Sequence, residues 1–175
     1  DECGVCNGTG VDADNDNICD DVDECVGYYD CNNDCNGENY DWWCSTDLNS
    51  TSSTYSNQIG AHTWDGEIRL FYFTTNEQCG VCVNRFDLLN DLYLDYLSSD
   101  IDVYVIGVGQ NNGISVDEIT AGNNLPWVKD DEPWSEWGAS NRDLYIMDKN
   151  GEIVEQINLT NGFDETQIKY IINGL

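Results

Sequence analysis

The sequence predicts an α/β domain, in which a mixed β-sheet is covered by helices on both faces, preceded by a small irregular module. The carboxyl-terminal two thirds contains short apolar runs that alternate with amphipathic helical patterns. The first 60 residues contain no Lys or Arg, but 14 Asp or Glu residues and seven of the nine cysteines. A segment with so few large aliphatic residues cannot offset its ordering entropy by burial, so it requires crosslinks, metal ions or both.

Local periodicity predicts the first elements of the α/β domain. The apolar run 68–73 is typical of a buried strand, and a second apolar run at 101–108 is rich in β-branched residues. Between them, apolar residues from Cys82 to Leu97 recur at steps of three and four, which indicates one face of a helix. When a helix connects two strands of one sheet, the strands run parallel and the crossover between them is right-handed.

The later elements complete the predicted order β-α-β-α-β-β-α. A short helix is expected over residues 115–121, and strands 143–147 and 152–157 form a hairpin around the turn at 148–151. Asp164, with Gln167 three residues later, is typical of the cap of a last helix. The hairpin adds antiparallel strands, and the sheet is therefore mixed.

Composition divides the chain into three predicted parts. Residues 1–44 form the acidic, cysteine-rich module, residues 45–60 are a Ser/Thr-rich linker, and residues 61–175 are the α/β domain. The linker is assigned because small polar residues are typical of flexible connections.

The formal net charge of −28 excludes several functions. Phosphate backbones are repelled, so we expect no binding to nucleic acid, and anionic membranes are poor partners. No apolar run approaches the length of a membrane span, and no basic and apolar leader is visible, so any export signal is expected to have been removed.

The clustered cysteines favour an extracellular or cell-surface location, because cytosolic thiols are kept reduced. The alternative is a cytosolic zinc site. It fits less well, because His62 is the only histidine and carboxylates surround the thiols. An odd number of cysteines leaves one thiol free, paired with another chain, or separated from a partner in a longer protein.

Oxygen-bearing residues in the first module have the spacing of a calcium loop. Positions 1, 3, 5, 7, 9 and 12 of an EF-hand-type loop are Asp12, Asp14, Asp16, Ile18, Asp20 and Asp23. A tight loop of this spacing directs alternate residues at one Ca²⁺ ion, with the seventh position using its backbone carbonyl. Two positions depart from the pattern, because Asn17 replaces the usual Gly and Asp23 is shorter than Glu. The alternative is a solvated acidic loop.

A second set of residues repeats this register in part. The same positions are occupied by Asp30, Asn32, Asp34, Asn36, Glu38 and Asp41. Amide oxygens are weaker ligands than carboxylates, and Cys31 and Cys35 lie within the loop. A second calcium site and a plain disulfide loop are equally consistent with this pattern.

Residues 12–25 resemble a thrombospondin type 3 calcium repeat, and the Cys-Gly-Asn-rich segments at 1–8 and 30–37 look like repeats that accompany such modules in bacterial surface proteins. The resemblance implies an extracellular spacer that is stabilised by calcium and disulfides.

Cys79-Gly80-Val81-Cys82 lies between the first predicted strand and the amphipathic helix. The free N–H groups at a helix start favour the thiolate of the first cysteine, and the second can resolve a mixed disulfide. Glu77 precedes the motif, and Arg85 is the first basic residue after it. The sequence therefore predicts that the local charges disfavour formation of the thiolate. The alternatives are a permanent disulfide or, with His62, a copper or zinc site.

A C-x-x-C turn in this βαβ context resembles the thioredoxin superfamily over residues 64–175. Residues 134–154 are more particularly similar to the thioredoxin-like domain of selenoprotein P. The resemblance implies that Cys79 attacks, at a position where that family can carry selenocysteine, and that Cys82 resolves. The sequence departs from thioredoxins at residues 139–143, which lack the proline that thioredoxins place opposite the C-x-x-C.

Two functional hypotheses follow. The first is a secreted calcium-binding protein whose thioredoxin-like domain catalyses thiol–disulfide exchange through Cys79 and Cys82. The second is a non-catalytic extracellular subunit of a surface layer, filament or appendage, in which the fold is a packing unit and calcium and disulfides support assembly. Both predict a protein partner or self-association.

Overall fold

The computed structural model describes residues 10–13, 18–27, 35–36 and 43–175. The strands are β1 (Cys44–Thr46), β2 (Gln58–Gly60), β3 (Ile68–Thr74), β4 (Val103–Gly109), β5 (Trp127–Lys129), β6 (Asp143–Met147) and β7 (Ile153–Asn158). The helices are α1 (Gly80–Tyr96), α2 (Asp117–Thr120), α3 (Glu132–Glu136) and α4 (Glu165–Ile172).

The main sheet has five strands in the order β5-β4-β3-β6-β7. Strands β3, β4 and β5 are parallel, whereas β6 is antiparallel to both β3 and β7. The mixed sheet predicted from the sequence is therefore confirmed. Within residues 61–175, two elements, β5 and α3, are absent from the predicted order, because three and five residues are too few to show a period.

Helices cover both faces of this sheet. Every residue of the central strand β3 is buried, and its side chains alternate between the two faces. Leu70 and Tyr72 pack in the cluster that contains α1, α2 and α4, whereas Phe71 and Phe73 pack in the cluster that contains α3. This arrangement makes the end of β3 a rigid support for the turn that follows it.

The structure differs from the linker prediction for residues 45–60. Strands β1 and β2 form an antiparallel hairpin that packs beside β5 at the edge of the main sheet. The Asp47 carboxylate is fully buried, and it accepts hydrogen bonds from the Trp127 and Asn49 backbone N–H groups and from the Thr54 hydroxyl. The polar residues therefore satisfy a buried carboxylate instead of forming a flexible connection.

Disulfides are present in the amino-terminal module, as the cysteine clustering predicted. Cys25 bonds to Cys35, and Cys19 and Cys44 are also disulfide-bonded. Because Cys44 lies in β1, one of these disulfides involves the hairpin that packs on the sheet. Among the described residues, no helix combines the length and the hydrophobicity needed to cross a membrane.

Candidate active site

The Cys79–Cys82 turn lies at the junction of β3 and α1. Cys79 occupies the cap position of the helix with extended backbone (φ −76°, ψ 113°), and Cys82 lies one turn inside. Both residues are free thiols. Cys79 is half-buried and Cys82 is fully buried, so a reactant can reach the first sulfur while the second remains covered.

Arg142 lies against both sulfur atoms. Its Nη1 is 3.6 Å from Cys82 Sγ and 3.9 Å from Cys79 Sγ. The backbone N–H of Arg142 donates to the Phe73 carbonyl (2.8 Å), which fixes the loop across the end of β3. Arg142 has a positive φ of 70°, a conformation that is uncommon for a residue with a side chain. The loop at 139–143, where proline is absent, therefore presents a guanidinium to the C-x-x-C turn.

The environment shifts the pKa values of the two thiols in opposite directions. Partial burial alone raises the pKa of Cys79, but hydrogen bonds from the Cys82 thiol and from the Cys82 and Val81 backbone N–H groups lower it, as does the charge of Arg142; the net shift is downward. Burial raises the pKa of Cys82, and so does its hydrogen bond to Cys79. Arg142 and Thr74 oppose this rise without reversing it. At neutral pH, Cys79 is therefore the better nucleophile.

Two polar side chains hold the loop that carries Arg142. Asn141 Oδ1 accepts hydrogen bonds from the Thr74 hydroxyl (3.0 Å) and the Thr75 backbone N–H (3.1 Å). Asp143 is 2% exposed. Its carboxylate accepts hydrogen bonds from Ser140 N, Gln156 Nε2 and Asn158 Nδ2. These bonds restrict the loop on both sides of Arg142, so the guanidinium is held near the thiols.

Glu77 does not act as a free negative charge beside the thiols. Its side chain is fully buried, and its Oε1 forms an ion pair with Lys129 Nζ at 3.1 Å. The prediction that the local charges disfavour the thiolate is wrong, because Lys129 neutralises the charge of Glu77 and Arg142 supplies a positive charge near Cys79.

A cavity lies where strand β7 ends and helix α4 begins. Its volume is about 580 Å³, and it is lined by Ile157, Asn158, Leu159 and residues 162–167. The Leu159 carbonyl accepts a hydrogen bond from Arg85 Nε (3.0 Å), and the neighbouring Thr160 hydroxyl accepts one from Arg142 Nε (3.1 Å). The wall of the cavity is therefore tied to two arginines, one of which contacts both sulfur atoms.

The structure leaves the calcium prediction untested. Within the first loop, Asp12, Ile18, Asp20 and Asp23 are described, whereas Asp14 and Asp16 lie outside the described residues. In the second loop only Asn36 is described; Asp30, Asn32, Asp34, Glu38 and Asp41 lie outside. Among the described residues, no three His, Cys, Asp or Glu side chains form a group that could hold a metal ion.

The described part of the first loop nevertheless has specific contacts. Asp20 Oδ1 accepts a hydrogen bond from the Ala13 backbone N–H (2.9 Å), and Asp23 Oδ1 accepts one from Cys25 N–H (2.8 Å). Asp23 Oδ2 is buried and accepts no hydrogen bond from the described residues. In the second loop, Asn36 Nδ2 donates to the Val26 carbonyl (3.0 Å).

Sequence comparison assigns the chain to no family, because no family model matches it and no curated protein matches it significantly. Structural comparison does find similar proteins. A secreted Mycobacterium tuberculosis disulfide oxidoreductase homologous to E. coli DsbE aligns with a TM-score of 0.58 and 13% identity, over 76% of this chain and 96% of that one.

Two further structures show the same likeness. StoA from Bacillus subtilis aligns with a TM-score of 0.56 and 17% identity, over 74% of this chain and 94% of that one. Yeast Sco1 aligns with a TM-score of 0.59 and 16% identity, over 76% of this chain and 94% of that one. Together with the sheet order and the helices on both faces, these likenesses show a thioredoxin-like fold. They confirm the fold predicted from residues 64–175.

Proposed function

We propose that this chain is an exported thiol–disulfide exchange protein, in which Cys79 is the nucleophile and Cys82 is the resolving thiol. The observation that carries the proposal is the pair of free thiols at the start of α1, with Arg142 Nη1 at 3.9 and 3.6 Å from their sulfur atoms. The thioredoxin-like fold supports it, since one structurally similar protein is a secreted disulfide oxidoreductase.

The exchange proceeds in two steps. The Cys79 thiolate attacks one sulfur of a substrate disulfide; a mixed disulfide forms, and the other substrate sulfur leaves as a thiolate. Cys82 then loses its proton to solvent and attacks Cys79 Sγ, which releases the second substrate sulfur. Both released thiolates take up protons, so two electrons pass from the Cys79–Cys82 dithiol to the substrate. The reverse sequence oxidises a substrate dithiol.

The environment of the two thiols suits this order. The lowered pKa of Cys79 increases its thiolate fraction at neutral pH, and its partial exposure allows attack. Cys82 is buried and has a raised pKa, so it remains protonated until the mixed disulfide has formed beside it. Arg142 then favours the second thiolate, because its Nη1 is also near Cys82 Sγ.

Reduction of a disulfide substrate tests the proposal. Insulin turbidity is followed with the wild type and with the Cys79→Ser and Cys82→Ser variants, under a reductant concentration that gives a slow background. We expect the wild type to exceed background, Cys79→Ser to match background, and Cys82→Ser to accumulate a mixed disulfide at Cys79. Equal rates for wild type and Cys79→Ser would contradict the proposal.

We also propose that the amino-terminal module binds Ca²⁺ through Asp12, Asp14, Asp16, Ile18, Asp20 and Asp23. The buried Asp23 Oδ2, which accepts no hydrogen bond from the described residues, fits a role as a ligand oxygen. Bound Ca²⁺ would neutralise the clustered carboxylates and so stabilise the module. We propose the same role for the second set, Asp30, Asn32, Asp34, Asn36, Glu38 and Asp41. Stabilisation of the module by calcium and by disulfide crosslinks is consistent with function outside the cell.

The alternative is a non-catalytic subunit that assembles with copies of itself or with a protein partner. The crosslinks in the amino-terminal module and the high surface charge also fit that role. Sedimentation with and without a calcium chelator separates the proposals, because the subunit hypothesis requires assemblies that depend on calcium. Insulin reduction that depends on Cys79, together with a monomer in both conditions, would reject it.

A further inference from the structure

Arg85 and Arg142 form no ion pair with a carboxylate of the described residues. The protein has only 6 Lys and Arg residues against 34 Asp and Glu residues. Arg69, Lys129 and Lys169 each form an ion pair with a carboxylate. Neither Arg85 nor Arg142 forms one with any described residue, although acidic side chains are abundant. Arg142 thus brings a positive charge to the thiols, and Arg85 lies three residues beyond Cys82 in α1.

Each of these guanidinium groups retains donors that no described residue uses. Arg142 directs Nε to Thr160 Oγ1 and Nη1 to the sulfur atoms. Arg85 directs Nε to the Leu159 carbonyl and Nη1 to Asn84 Oδ1. The Nη2 group of each arginine therefore remains available. A guanidinium presents its donors in a planar fork that matches a carboxylate.

The two arginines are linked through Leu159, which lines the cavity: its carbonyl accepts from Arg85 Nε, and its N–H donates to the Arg142 carbonyl (2.8 Å). Two acidic residues line the same cavity, and each already has a partner within α4 or its cap. Asp164 Oδ1 accepts a hydrogen bond from Gln167 N–H, and Glu165 Oε1 pairs with Lys169 Nζ. Neither of these two carboxylates forms an ion pair with Arg85 or Arg142.

Building on the proposed function, we propose that this site selects peptide disulfides in which the reactive cysteine is directly next to Asp or Glu. The carboxylate would bind the free donors of Arg85 and Arg142, and the cysteine sulfur would then lie at Cys79. The chain itself contains such cysteines, with an adjacent acidic residue at Cys3, Cys19, Cys25, Cys31 and Cys35. Acidic cysteine-rich modules of this type are therefore the substrate class that the site fits.

A competition between matched peptides tests this preference. The reduced Cys82→Ser variant is mixed with equal amounts of two short peptide disulfides that differ only in Glu or Gln before the cysteine. The mixed disulfide of each peptide at Cys79 is quantified by mass spectrometry. In a control, the two peptide disulfides compete for a small-molecule thiol instead of the protein, which gives the ratio of their intrinsic reactivities. The product ratio measured with the protein is divided by this control ratio.

We expect the acidic peptide to be favoured about twofold to fivefold at about 0.1 M ionic strength, the effect of a partly exposed, charge-assisted contact. The preference should fall towards unity in Arg85→Gln (on the Cys82→Ser background) and at high salt. Lys149→Gln on the same background removes the same charge from the exposed β6–β7 turn and should leave the ratio unchanged.

A corrected ratio of one, or a ratio that Arg85→Gln does not change, would overturn the preference while leaving the exchange activity intact. Failure of both peptides to react at Cys79, with insulin reduction equal in wild type and Cys79→Ser, would remove the proposed function as well. Glutathione disulfide in a third arm separates peptides from a small carboxylate-bearing disulfide. Its capture in preference to both peptides would overturn the assignment to peptides.

Discussion

Replacement of Arg142 by Gln should reduce the reactivity of Cys79 at neutral pH. Two unit charges at the observed 3.9 Å attract each other by about 1 kcal/mol in water and by about 4 kcal/mol at an effective dielectric constant near 20. Because Cys79 is half-exposed, the lower value applies. A loss of about 1 kcal/mol corresponds to a roughly fivefold smaller thiolate fraction below the pKa.

The assay is the rate at which iodoacetamide alkylates Cys79 in the reduced protein, measured against pH. Arg142 lowers the pKa of Cys79, so its removal should move the profile to higher pH and leave the high-pH plateau unchanged. Arg142→Lys should retain part of the effect, because it keeps the charge.

Lys149→Gln is the matched control for net charge at about 0.15 M ionic strength, because strand β6 separates Lys149 from Arg142 by about 17 Å, roughly twice the Debye length there. Identical profiles for wild type and Arg142→Gln, or an equal shift in Lys149→Gln, would refute the assigned role of Arg142.

Two further predictions concern stability and calcium. Gly109→Ala should lower the free energy of unfolding in urea by about 1–3 kcal/mol, because the new Cβ would lie 2.2 Å from Glu77 Oε1; Gly162→Ala, where space is open, should change it by less than about 0.5 kcal/mol. A chelator should remove hydrogen-exchange protection from residues 12–23 and leave residues 64–175 protected, since that region has its own core. Unchanged exchange in residues 12–23 would count against calcium binding there.

Elements could be predicted from the sequence where they contain a continuous apolar run, a periodic apolar pattern or a recognisable helix cap. The run 68–73 corresponds to β3, and the helix predicted after Asp164 is α4, where Asp164 accepts the Gln167 N–H at 3.0 Å. The hairpin at 44–60 could not be predicted in this way. Its polar composition suggested a linker, but its stability depends on a buried carboxylate, Asp47, that bonds to the distant Trp127 N–H.

The candidate site was predictable only where it is local in sequence. Cys79 and Cys82 lie at a strand-to-helix junction, which the apolar run and the helical periodicity indicated. Arg142 was missed because its position depends on antiparallel pairing between β3 and β6, with Tyr72 opposite Leu144. This register brings the residue before β6 to the end of β3. One signal in the sequence could have indicated Arg142: it is one of only 6 basic residues, and it directly precedes the strand predicted at 143–147.

The central claim, that Cys79 and Cys82 exchange between dithiol and disulfide in the native protein, is tested most directly by equilibration with glutathione redox buffers. The fraction of the Cys79–Cys82 disulfide is measured by mass spectrometry after alkylation, with the disulfides of the amino-terminal module left intact. The account predicts a reversible transition with a midpoint above about −300 mV, the range of exchangeable disulfides. A Cys79–Cys82 disulfide that resists every buffer until the protein unfolds would show a permanent crosslink and contradict the account.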